Sequence, residues 1–251
     1  MTKIALVTGG SRGLGRNTAI SIARRGYDVV LTYRSRAEDA AAVVAQIKAL
    51  GRKAIALPLD TGHVAAFAPF AEHLRAALRE NWSRETFDHL VNNAGHGEYA
   101  LISDMSEAQF DDLVNVHLKG VFFLTQALLP FIADGGRIVN LSSGLTRVAF
   151  PGYAAYAAVK GAVEVLSVYM AKEFGGRGIA VNTVAPGAIE TDFGGGAVRD
   201  NPEINRLFAD MTALGRAGVP DDIGPMIAGL LSEDNRWVNA QRIEVSGGQG
   251  I

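Results

Sequence analysis

Tyr156 and Lys160 stand four residues apart in a stretch, Tyr153 to Phe174, whose apolar spacing predicts a helix, so both side chains leave one face. A Lys ammonium beside a phenol favours phenolate. It draws a pKa that starts near about 10 toward neutrality, where the hydroxyl can give up and recover a proton usefully. Such a pair can act as general acid in carbonyl reduction or as base in alcohol oxidation. Ser142 and Ser143 close a short apolar run, and a hydroxyl at the C-terminal end of a strand can hydrogen-bond a ligand oxygen as charge develops on it. Near the N-terminus, Thr8-Gly9-Gly10-Ser11-Arg12-Gly13-Leu14-Gly15 follows an apolar run and opens into helical spacing. Glycines there let the backbone approach a pyrophosphate, whose charge meets amides and dipole at a helix N-terminus. Taken singly, each feature has a plainer reading: an ordinary surface pair, a turn or helix cap, a strand-helix corner.

To bring these residues together the chain needs strands and helices. The first half alternates short apolar runs with longer segments of helical spacing, the pattern of βα units feeding a parallel sheet. Strands are expected at Lys3 to Thr8, Asp28 to Tyr33, Ala54 to Leu59, Phe87 to Val91, Gly136 to Leu141, Ile179 to Val184 and Arg242 to Val245. Helices are expected at Arg16 to Arg25, Ala37 to Leu50, His63 to Arg79, Glu107 to Phe131, Tyr153 to Phe174 and Asp221 to Leu231, with Gly26 and Gly51 stopping the first two. This predicts an α/β chain: a single Rossmann-type, doubly wound parallel sheet of seven strands with helices on both faces, in one domain over 1–251. Asp192 to Ala217, with Gly194-Gly195-Gly196, is longer than an ordinary connection and reads as an irregular substrate loop at about 192–217.

Composition excludes several chemistries. Of 251 residues, 48% are hydrophobic and 20% charged, which suits a globular chain with a sizeable core. Lys plus Arg number 24 against 26 Asp plus Glu, a net charge of −2, so no broad positive field argues for nucleic acid or an anionic membrane. The absence of cysteine removes disulfides, zinc-thiolate sites, iron-sulfur clusters and thiol nucleophiles, and suits a reducing cytoplasm. The five His, at 63, 73, 89, 96 and 117, show no metal-helix spacing, so no metal is expected. Neither a signal peptide nor an apolar stretch of the roughly 18 residues that a membrane span needs is expected. His96, Glu98 and Arg147 read as solvated loop residues, and His117 as a structural side chain of a long helix.

The glycine spacing, T-G-x-x-x-G-x-G, resembles that of the short-chain dehydrogenase/reductase family in its single-domain branch. The likeness repeats down the chain in Asn92-Asn93-Ala94-Gly95, Asn115-Val116-His117-Leu118-Lys119-Gly120, Tyr156-Ala157-Ala158-Val159-Lys160 and Asn182 to Thr191. The family's serine usually lies thirteen positions before its tyrosine, which selects Ser143 over Ser142. The resemblance implies a catalytic set of Asn115, Ser143, Tyr156 and Lys160: Tyr156 as proton donor, Lys160 also holding the nicotinamide ribose, Asn115 positioning the helix and a relay water. It also implies a nicotinamide cofactor held by Gly9, Ser11, Arg12, Gly13, Leu14, Gly15, Asp60, Asn92, Ala94, Gly95, Pro186, Gly187, Ile189 and Thr191, together with Tyr156 and Lys160.

Where an NAD-preferring Rossmann site carries a carboxylate after the second strand, this chain has Arg34 and Ser35, and Arg12 adds a second cation. NADP(H) is therefore the expected cofactor, and the expected reaction is reversible reduction of a ketone or aldehyde. The nearest likeness is to 3-oxoacyl-carrier-protein reductase-like members, through Leu214 to Ile223 and the ending Ser246 to Ile251, so a 3-oxoacyl thioester is the alternative substrate. Asp134, where carrier-docking members tend to be basic, weakens that alternative, although Arg177 could serve. A catalytically silent NADP-binding sensor would need a damaged catalytic set. Leu145, Phe150 and Tyr153 favour a hydrophobic or aromatic ketone. Family likeness, with two long helices more apolar than one sheet-facing stripe requires, implies a homotetramer.

Overall fold

The computed structural model describes residues 2–251. Seven apolar runs form strands β1 (Ile4–Val7), β2 (Asp28–Tyr33), β3 (Ala54–Pro58), β4 (Phe87–Asn92), β5 (Ile132–Leu141), β6 (Ala180–Pro186) and β7 (Arg242–Val245). They make one sheet in the order β3-β2-β1-β4-β5-β6-β7, and every neighbouring pair is parallel. The expected seven-stranded, doubly wound α/β sheet is thus the fold observed. Ile4, Ala5, Leu6 and Val7 are wholly buried, as a central strand covered on both faces requires.

Helices α1 (Gly13–Arg24), α2 (Ala37–Ala49) and α9 (Pro220–Leu230) cover one face, packing Ile22, Ile47 and Ile227 on Val7, Val29 and Val91. Helices α3 (Phe67–Trp82), α5 (Gly120–Leu128) and α6 (Ala154–Phe174) cover the other, where Leu74, Leu124 and Val163 meet Leu6, Leu90 and Ile138. The strand order reverses between β1 and β4, and the crevice above their C-terminal ends is where open α/β sheets bind ligands.

The single helix expected from Glu107 to Phe131 is segmented. Helix α4 (Glu107–Val114) starts with a Ser106/Gln109 capping box and runs into a π-helical turn at Asn115–Lys119 before α5, and Leu129–Phe131 is a 3₁₀ turn at Pro130. Gly120 is needed in α5 because a Cβ there would lie 2.5 Å from Thr61 O. Glu107–Phe131 and Ala154–Arg177 have the length and mean hydropathy, 1.2, of helices that could cross a membrane. Their apolar faces pack on the sheet instead, through Leu124, Leu128, Val163 and Met170.

The expected irregular loop is also corrected. It contains a 3₁₀ turn (Phe193–Gly196), α7 (Ala197–Asp200) and α8 (Pro202–Asp210). Asn201 caps α8, its Oδ1 accepting from Glu203 N at 2.9 Å and Ile204 N at 3.2 Å, with Pro202 in the first turn. Gly194, Gly195 and Gly196 run consecutively through left-handed conformation, with φ of 59, 73 and 82°.

Candidate active site

A cleft of about 640 Å³ opens over the β1/β4 reversal, a size suited to a small-molecule site. Gly9, Ser11, Arg12, Gly13, Leu14 and Gly15 line one side. A Cβ on Gly9 would lie 2.9 Å from Ala94 Cα, and one on Gly15 would lie 2.2 Å from Gly9 O, so the loop closes on α1 and the β4 turn only as glycine. Thr8 clamps the two turns: its Oγ1 accepts from Asn93 N at 2.9 Å and Ala94 N at 3.0 Å. Helix α1 starts without a side-chain cap or an acidic residue in its first turn, leaving its leading amides for an anion. This cradle fits the pyrophosphate of a dinucleotide.

At the end of β2, Arg34 and Ser35 are exposed on the cleft wall, and Arg34 has no ion-pair partner among the described residues. Arg12 Nη1 lies 3.4 Å from Asp192 Oδ2, while Asp192 Oδ1 takes Arg199 at 2.5 Å. The Arg199 guanidinium, with Arg12 adding to it, holds the Asp192 carboxyl below its usual range. Asp60 lines the same end, its Oδ1 accepting from Gly62 N at 2.9 Å. Ala94, Gly95, Pro186, Gly187, Ile189 and Thr191 also line the cleft.

At the inner end, α6 carries Tyr156 and Lys160, one turn apart, into the cleft beside Ser143. Lys160 Nζ donates to Leu141 O at 2.8 Å and lies 5.7 Å from the centre of the Tyr156 ring. Burial pushes Lys160 down to about 7. Burial also pushes the Tyr156 hydroxyl well above its ordinary value, with the Ser143 hydroxyl pulling the other way. The expectation that the Lys ammonium lowers Tyr156 is therefore not met, because burial of the phenol dominates. Ser143 Oγ accepts from Leu145 N at 3.2 Å. Ser142 turns away to Glu164 at 2.6 Å, and Glu164 also takes Thr146 at 2.9 Å and Arg242 Nε at 2.8 Å, bracing the Ser-Ser turn against β7.

Two expected site residues lie elsewhere. Asn115 does not line the cleft, because its Oδ1 accepts from Lys119 Nζ at 2.9 Å on the exposed side of the π-turn. Asn92 is buried between β4, α5 and β5, its Nδ2 donating to Thr125 Oγ1 at 3.1 Å and Asn140 Oδ1 at 2.8 Å, while its neighbour Asn93 lines the cleft. Conversely, His117, read as merely structural, lines the cleft with its ring perpendicular to that of Tyr156. His96 and Glu98 line it too: His96 Nε2 lies 2.9 Å from Asp112 Oδ2, and Glu98 Oε1 accepts from Gln109 at 2.6 Å. Arg147 is outside, pairing with Glu244 at 2.5 Å.

Aromatic rings line the cleft wall: Tyr99 and Tyr153 meet at 5.5 Å and 76°, and Phe193 meets Tyr156 at 5.6 Å and 58°. Phe150 and Leu145, expected beside the substrate, lie outside the lining, where Phe150 packs on Phe208 at 5.6 Å and 64°. Gly152 and Gly97 allow two of these rings to settle, since a Cβ would lie 2.2 Å from the Tyr99 ring and 2.5 Å from Phe193 respectively.

A family profile described as enoyl-(acyl carrier protein) reductase matches residues 9–249. The 3-oxoacyl-[acyl-carrier-protein] reductase FabG of Staphylococcus aureus is 39% identical, over 99% of this chain and 98% of its own. Among solved structures, the promiscuous reductase LugOII, described as catalysing keto-reduction at C1 during lugdunomycin biosynthesis, is similar with a TM-score of 0.94 and 39% identity, covering 99% of this chain and 98% of that one. The angucycline C-6 ketoreductase LanV with bound NADP has a TM-score of 0.93 at 36% identity, covering 98% and 95%.

Proposed function

The chain belongs to the short-chain dehydrogenase/reductase family, and from that premise we infer that it is an NADPH-dependent oxidoreductase reducing a ketone or aldehyde to an alcohol, reversibly. The observation that carries this reading is the convergence of Ser143, Tyr156 and Lys160 at the inner end of a cleft whose other end holds a glycine cradle and Arg34. The glycine loop and α1 amides would hold the pyrophosphate, Arg34, Ser35 and Arg12 the 2′-phosphate, and Asp60 the adenine end. Ala94, Gly95, Pro186, Gly187, Ile189 and Thr191 would hold the nicotinamide half. When bound, the reduced nicotinamide supplies the hydride. Ser143 donates a hydrogen bond to the substrate oxygen as negative charge grows there, and Tyr156 delivers its Oη proton to that oxygen. Lys160 holds the ribose and returns a proton to Tyr156.

Tyr99, Tyr153 and Phe193 on the cleft wall support a hydrophobic or aromatic ketone as the preferred substrate, in keeping with the angucycline C-6 ketoreductase named for the LanV structure. The 3-oxoacyl-thioester alternative draws support from the S. aureus relative. Against a docked carrier protein, Arg177 is engaged by Asp134 at 2.7 Å and by the carbonyl of Leu129 at 2.8 Å. Loss of NADPH absorbance across a panel of aromatic ketones, aliphatic ketones and acyl thioesters tests the reading. Turnover of aromatic ketones above the rest supports it, and turnover confined to thioesters overturns the substrate class.

The proposed domain is the whole chain, 1–251, with 192–217 as its substrate-side segment. The proposed assembly is a homotetramer, supported by Phe122, Phe123, Val165, Val168 and Tyr169, which stay exposed on α5 and α6. The proposed location is the cytoplasm, which suits a chain without cysteine.

A further inference from the structure

Among the described residues, five buried side-chain polar atoms have no hydrogen-bond partner, and one of these, His117 Nδ1, belongs to a residue lining the cleft. A buried polar atom left unpaired costs free energy, so an unpaired one inside a functional cleft calls for a partner. The other ring nitrogen is engaged: Nε2 lies 2.8 Å from the main-chain oxygen of His96 and 3.4 Å from its amide nitrogen, and the shorter contact sets the tautomer. A carbonyl oxygen only accepts, so Nε2 carries the proton and Nδ1 presents a lone pair.

The lone pair belongs to a ring seated against the reacting pair. The His117 and Tyr156 rings make a T, with centres 5.3 Å apart and planes at 87°. Lys160 Nζ is 5.7 Å from the same Tyr156 ring and spends one N–H on Leu141 O, leaving two of the three donors of an ammonium. The charged and titratable groups around His117 are Lys160, Tyr156 and His96, and behind His96 stands Asp112. Lys119 and Asn115 face outward and satisfy one another. Burial, reinforced by Lys160 and His96, holds the His117 imidazole well below its ordinary range, so it is a neutral acceptor at neutral pH.

We propose that His117 is a positioning residue for carbonyl reduction: its Nδ1 accepts a hydrogen bond from one water trapped between it and Lys160, while its ring, set perpendicular to that of Tyr156, steadies the phenol. A site of this polarity can hold such a water. The proposal rests on Tyr156 as proton donor. In reduction, the Tyr156 Oη proton goes to the substrate oxygen as hydride forms the new C–H bond. The phenolate regains a proton from the Lys160 ammonium, which is recharged from solvent. His117 keeps its own Nε2 proton throughout. An acceptor at Lys160 favours the ammonium and opposes the burial that discharges it, so His117 sets the alkaline limit over which the pair works.

Two measurements test this. Nitrogen-15 NMR of the unmodified protein should find His117 Nε2 protonated and Nδ1 unprotonated, without titration from about pH 5 to about pH 9. A protonated Nδ1, or titration near the usual histidine range, overturns the proposal without touching the assigned reaction. In kinetics, His117→Leu should lower kcat by about tenfold to a hundredfold and move the alkaline limb of its pH profile about one unit toward acid. The NADPH dissociation constant, read by fluorescence, should stay near wild type. His117→Asn, whose side-chain oxygen can also accept, should recover most of the rate and the wild-type limb. Equal losses in both variants with the limb unmoved overturn it. Should His117→Leu not fold, the NMR assignment and the Asn variant decide. Absence of carbonyl reduction by the wild type refutes the functional reading instead, and the NMR result stands apart from it.

Discussion

His117 and Tyr156 meet edge to face across the inner end of the cleft, with ring centres 5.3 Å apart, although 39 positions separate them in the chain. The contact joins the π-turn between α4 and α5 to the first turns of α6, so the proton donor is positioned by two helices. A π-bulge in the first of them is a placement recurrent at functional sites.

Tyr156→Phe is expected to abolish turnover and leave NADPH binding near wild type, because the change removes the transferable proton and keeps the ring. Lys160→Ala is expected to damage both, since its ammonium serves ribose and Tyr156 alike. Steady-state rates and fluorescence titration check this, and substantial reduction by Tyr156→Phe would show another group to be the acid.

Asn115→Ala is expected to change kcat/KM by less than about threefold, because the side chain bonds Lys119 on the outer surface, where pair energies are small. The same assay applied to both residues separates Asn115 from His117. A loss for Asn115→Ala matching that of His117→Leu would contradict the geometry.

Arg34→Ala is expected to weaken NADPH binding about tenfold to a hundredfold and leave NADH nearly unaffected. A guanidinium meeting a 2′-phosphate makes charge-assisted bonds worth about 1.5–3 kcal/mol. Dissociation constants for both cofactors in both proteins decide it, and parallel losses would move the phosphate contact elsewhere.

Stability is expected to fall as the solution is acidified from the ordinary histidine range toward pH 3. His89 is buried with both ring nitrogens unpartnered, and burial lowers its pKa from 6.5 to about 3. Between those values the unfolded chain binds a proton that the folded chain refuses, so stability rises with pH there, by about 1.4 kcal/mol per unit for one such group. His117, shifted the same way, adds to the slope. Urea unfolding across this window should show a shallower slope for His89→Leu, and an unchanged slope would remove His89 from the account.

The strands, the glycine cradle and the Tyr156/Lys160 face were legible because each rests on local spacing: period in a helix, apolar runs in a sheet, glycine in a tight turn. Which member of a short motif turns inward was not. Asn92 and Asn93 are neighbours, and alternation at the end of β4 sends the first into the interior toward Asn140 while the second reaches the cleft. Asn115 and His117 lie in one turn of helix, and the π-turn shifts the phase so that the histidine faces the site. Nothing in the residue types announces a π-turn. Helix α8 did leave a signal, Asn201-Pro202-Glu203, a cap followed by a first-turn proline and an acidic residue, but the glycines ahead of it masked it.

Asp192 holds Arg12 of the glycine loop with one oxygen and Arg199 of α7 with the other. A phosphate arriving at Arg12 competes with that carboxylate, so occupancy of the nucleotide end is felt by the segment that borders the substrate end. Nucleotide binding is therefore expected to leave Asp192 to Arg199 alone.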